Sequence, residues 1–109
     1  MNPNSKADVI VQSDGVLRVQ GDLNFTTVLG VRRTGEKLIA NATGSIEVDF
    51  SGVHDSGSAA VSLIMCWLRA ACRADKSICF TGLPDLLKRI IAVSGLSEHL
   101  AFDQPHHCQ

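Results

Sequence analysis

The stretch Ile46-Glu47-Val48-Asp49-Phe50-Ser51-Gly52-Val53-His54-Asp55-Ser56-Gly57-Ser58 runs straight into Ala59-Ala60-Val61-Ser62-Leu63-Ile64-Met65-Cys66-Trp67-Leu68-Arg69-Ala70-Ala71-Cys72. Ile46, Val48 and Phe50 alternate with Glu47 and Asp49, the period of a half-buried strand, and Ser51-Gly52 is expected to break it. Of the 14 residues from Ala59 to Cys72, 12 are apolar, which is the composition of a buried helix. The run is shorter than the roughly 20 residues needed to cross a bilayer, so direct membrane insertion is not expected. With the following apolar run Ser77-Ile78-Cys79-Phe80, the pattern is a strand, a crossover helix and a second, parallel strand.

Working outward, Val9 to Gln12 and Val16 to Val19 flank Asp14-Gly15, the signature of a hairpin. Beyond Gly21-Asp22, Thr26 or Thr27 can cap a helix whose spaced apolar positions are Val28, Val31, Leu38 and Ala42, with Gly30 and Gly35 weakening it. Downstream, Pro84 suits a first helical position and Asp85 the positive end of the helix dipole. Leu86, Leu87, Ile90, Ile91 and Val93 form its apolar face, Gly95 stops it, and Leu96 supplies the contact that accompanies a glycine cap. Leu100-Ala101-Phe102 is a candidate short last element. The order β-β-α-β-α-β-α predicts an α/β fold with a mixed sheet and helices packed on it, one domain over residues 1–109, with flexible termini at 1–7 and 103–109.

Lys+Arg 10 against Asp+Glu 11 in 109 residues leaves a net charge of −1, without the clustered basic residues that nucleic acid demands. The first residues show no secretory signal, and Cys66, Cys72, Cys79 and Cys108 lack CxxC spacing, so they are expected as free thiols of a cytoplasmic protein. No phosphate-binding glycine loop is present, and no cofactor is expected. His106-His107-Cys108 has no second cluster at zinc spacing, so no metal site is expected. His54 beside Asp55 and Ser56 superficially suggests a catalytic triad, but sequence neighbours rarely present that geometry and no GxSxG elbow exists. The chain is not expected to be an enzyme.

On a helical wheel Ser58, Ser62, Cys66, Arg69 and Arg73 fall within about 80°, leaving an apolar surface wider than one sheet contact requires. Either flanking helices cover the surplus, or Met65, Trp67 or Leu68 lies on an exposed patch for a partner. Asp55 or Ser56 can cap the helix. The same turn could instead carry a phosphorylated hydroxyl, whose charge suits a helix N-terminus, or present an unmodified hydroxyl to a partner, with His54 as a loop residue nearby.

The strand Ile46 to Val53, a short link and Asp55-Ser56 opening an apolar helix resemble the signature of STAS domains, the family of anti-sigma-factor antagonists. Within it, Trp67-Leu68-Arg69-Ala70-Ala71, Leu83-Pro84 and Val93-Ser94-Gly95-Leu96 are most similar to the MlaB branch, the STAS subunits of Mla phospholipid-transport ABC systems. The resemblance implies a cytoplasmic subunit, peripheral to the inner membrane through an MlaF-like ATPase, serving outer-membrane lipid asymmetry. Asp55, Ser56, Gly57 and Ser58 would then be partner-binding, with His54, Met65 and Trp67 alongside. The alternative it implies is an antagonist whose partner is an anti-sigma factor and serine kinase, phosphorylated on Ser56 or Ser58. Gly57-Ser58-Ala59 departs from the usual pattern of a small or hydroxyl residue, Gly and Leu, and Gly57 cannot accept phosphate.

Overall fold

A computed structural model describes residues 6–55 and 57–93. It contains β1 (Ala7–Ser13), β2 (Val16–Asp22), α1 (Val28–Asn41), β3 (Ile46–Asp55), α2 (Ser58–Arg73), β4 (Ile78–Thr81) and α3 (Asp85–Val93), in the expected order. The sheet runs β1-β2-β3-β4, with β1 and β2 antiparallel and the other two pairs parallel. Gly15 takes φ 76° in the hairpin turn, and its carbonyl accepts from Glu47 N at 2.8 Å, tying the turn to β3.

Period-2 alternation divides the sheet into two faces. Val9, Leu17, Val19, Ile46, Val48, Phe50, Ile78 and Phe80 are buried under the helices, while Asp8, Gln12, Glu47 and Ser51 are exposed on the other side. Ser51-Gly52 does not end β3. The register against β2 slips twice, first between Arg18↔Asp49 and Gln20↔Gly52 and again between Gly21↔Val53 and Asp22↔Asp55. Each slip inserts one extra β3 residue, and the first puts Val53 in the core where unbroken alternation would have turned it outward. His54 is therefore an exposed strand residue and not a loop residue.

Three helix expectations need correction. Thr27 is the α1 N-cap residue, but its side chain makes no capping bond. Asn24 Oδ1 accepts from Thr26 N (2.9 Å) and Thr27 N (3.2 Å), while Thr27 Oγ1 donates to Asp22 O at 2.7 Å. The face of α1 that goes fully inward is Val31, Gly35 and Ile39, with Val28, Leu38 and Ala42 packed at its margin. On α3 only Leu87 and Ile91 are fully buried, whereas Leu86 is exposed and Val93 is 90% exposed. At the amino end Ala7 already belongs to β1, and Lys6 O accepts from Asp22 N at 2.9 Å, so the segment 1–7 is anchored at its inner edge. Gly95, Leu96, Leu100 to Phe102, residues 103–109 and Cys108 lie outside the described residues. Cys66, Cys72 and Cys79 are not in disulfide bonds.

Candidate functional site

The apolar surplus of α2 is covered from within. Ala59, Ala60, Leu63, Ile64, Trp67, Leu68, Ala70 and Ala71 are all buried, because the helix lies on the sheet with α1 along one flank and α3 against the other. Trp67, expected as a partner-binding residue on an exposed patch, is 0% exposed. Its ring meets Phe50 edge-on at 6.3 Å between centroids, and Nε1 donates to Arg32 O at 3.2 Å. A side chain with its polar atom satisfied and its rings enclosed is structural, so Trp67 leaves the candidate surface. Leu68 is buried with it, and Met65 is half-buried at the edge of the core.

What α2 does present is its polar stripe: Ser58, Ser62, Arg69 and Arg73 are exposed and Cys66 is half-buried. Its N-cap residue is Gly57, where the sequence pattern had suggested Asp55 or Ser56, and the first turn holds no acidic residue. Gly57 O accepts from Ala60 N at 3.0 Å. Among the described residues a β-carbon at Gly57 would meet nothing within 4 Å, so there is room beside the glycine. Ser56 and the Asp55 side chain lie outside what the structure describes, while the Asp55 backbone closes β3 opposite Asp22.

The residues singled out from sequence do not form one cluster. Gly57 and Ser58 stand together at the start of α2. His54 instead lines a groove of about 360 Å³ with Lys6, Asp8, Arg18 and Gln20, on the sheet face turned away from the helices. Met65 lies further along α2. One neighbour escaped the sequence reading. Both crossovers start from the same end of the parallel strands, so the turn before α1 adjoins the turn before α2 where Asp22 pairs with Asp55. That turn carries Phe25, 76% exposed, followed by Leu29, 45% exposed. A bulky aromatic in an otherwise polar turn, Asn24-Phe25-Thr26-Thr27, was the available signal.

Residues 8–101 match a family model described as Mlab, STAS domain. The chain belongs to the STAS domain family. STAS domains are protein-interaction modules. No curated protein matches the sequence. Among solved structures, the chain is similar to an anti-sigma factor antagonist from Mycobacterium paratuberculosis, with 17% identity, a TM-score of 0.72, and coverage of 94% of this chain and 90% of that one. It is similar to the anti-sigma factor antagonist SpoIIAA in its unphosphorylated form, at 15% identity and TM-score 0.68, covering 90% and 88%. The phosphorylated form of the Bacillus cell fate determinant SpoIIAA gives 15% and 0.65, covering 90% and 91%. At these identities the likeness is one of fold.

Proposed function

We propose that this STAS domain is a non-enzymatic, cytoplasmic subunit that binds the ATPase of a Mla-type phospholipid-transport ABC complex and supports its assembly or activity. The observation that carries the reading is the family match over residues 8–101, joined to a helix start whose N-cap residue, Gly57, has room beside it. The positive end of the helix dipole there favours a partner's oxygen acceptors. Gly57, Ser58 and the adjoining Asp55 and Ser56 form the contact, with Phe25 as an apolar anchor beside them. The test is co-purification with the cognate ATPase. Ser56→Arg and Ser58→Arg should each abolish capture, and undiminished capture by both would overturn the surface.

A second reading is favoured by the neighbours being anti-sigma-factor antagonists, one of them in a phosphorylated form. Here Ser56 or Ser58 is modified by a serine kinase, and the added charge weakens association by burying an unpaired dianion at the interface. Intact mass after incubation with ATP and the candidate kinase distinguishes the two, since the transport reading requires no mass increase.

A further inference from the structure

Apart from the turn at Gly57, α1 and α2 enclose a groove of about 250 Å³ lined by Arg32, Glu36, Cys66, Arg69 and Arg73. Three guanidinium groups face one carboxylate, a local balance of 3 − 1 = +2 on a chain whose net charge is −1. Among the described residues Glu36 pairs with Arg32 alone: its Oε1 lies 3.4 Å from Arg32 Nε, an ion pair whose buried Nε has no hydrogen bond there. Arg69 and Arg73 are exposed, and among the described residues neither has an ion pair or hydrogen bond. They stand at i, i+4 on one helix face, a spacing at which like charges repel.

Placing three cations along one seam against a single carboxylate leaves an excess of positive charge, and a ligand of opposite sign balances it. Which anion fits follows from the spacing. Four helical residues advance about 6 Å along the axis. Alternate side chains of an extended chain on one face are about 6.6 to 6.8 Å apart. Guanidinium forks pair bidentately with carboxylates. A single small oxyanion would engage one point of the groove, whereas Arg32 belongs to α1 and Arg69 and Arg73 stand one turn apart on α2. A bilayer surface is broad and cannot follow a recess between helices.

We propose that the α1–α2 groove receives an extended acidic segment of a partner protein, whose carboxylates at alternate positions engage Arg69 and Arg73. The inference does not depend on which partner occupies the turn at Gly57. It is tested by fluorescence anisotropy of a fluorescein-labelled peptide of alternating Glu and Ala, titrated with the full chain at low ionic strength. Saturable binding is expected, weakened roughly tenfold or more in the R69Q/R73Q variant and by added salt. The control variant K6Q/R18Q, on the opposite sheet face, should bind as the parent does. Because Arg69 and Arg73 are exposed and among the described residues make no ion pair or hydrogen bond, the variant should melt no lower than the parent does. Absence of saturable binding, or equal weakening in the control, would overturn the proposal. So would sedimentation with phosphatidylglycerol vesicles, lost in R69Q/R73Q, without peptide binding, which would assign the groove to a membrane.

Discussion

The backbone of Gly35 in α1 is in direct contact with the indole of Trp67 in α2, so that a β-carbon at position 35 would lie 2.6 Å from Nε1 and closer still to the ring carbons. The absence of a side chain at one position is what admits the largest side chain in the core. The helices approach along this seam, and Trp67 Nε1 donates to Arg32 O one turn earlier in α1.

Gly35→Ala sets two effects against each other. Alanine favours a helix interior by about 1 kcal/mol. Overpacking a filled core costs about 1–3 kcal/mol, and the indole lies fully buried and edge-on to Phe50. Net destabilisation is expected, read as a lower urea midpoint with an unchanged slope. Trp67→Ala should cost about 3–5 kcal/mol.

Lys76 Nζ donates to Ile39 O at 2.8 Å and Ala40 O at 2.9 Å, placing a cation on the terminal carbonyls of α1. Lys76→Met keeps most of the aliphatic stem and removes the charge. With one bond partly buried and the other exposed, the loss should be about 1 kcal/mol, measured by thermal unfolding.

Asp75 holds φ 56° just past α2, where its N–H donates to Cys72 O and that of Lys76 to Ala71 O, the paired bonds of a Schellman ending. Glycine adopts this conformation without steric cost. Asp75→Gly should therefore raise the melting temperature and Asp75→Ala lower it, each by about 0.5–1 kcal/mol of stability.

Asn24→Ala removes the acceptor shared by Thr26 N and Thr27 N and should cost about 1 kcal/mol. Because the same turn presents Phe25 beside the start of α2, this variant should also weaken capture of the ATPase. Phe25→Ser should weaken capture while leaving the unfolding midpoint unchanged, since the ring is mostly exposed.

Much of this molecule was written in local pattern. Asp14-Gly15, the alternation from Ile46 to Phe50 and the apolar run after Ala59 depend on neighbours in the chain, and they determine the element order and the mixed sheet. The turn at Asp55 to Ser58 was legible for the same reason, as a hydroxyl-bearing link between a strand and a helix. Tertiary structure decided what local pattern cannot express. Whether Trp67 faced a partner or the core depended on α1 bringing a bare glycine against it, 32 positions earlier in sequence. The first register slip against β2 turned Val53 inward and His54 outward, because pairing with another strand sets the phase of the alternation. The arginine groove arises only when α1 lies beside α2. Propensity and period act over a few residues, whereas burial and charge balance belong to surfaces that distant segments build together.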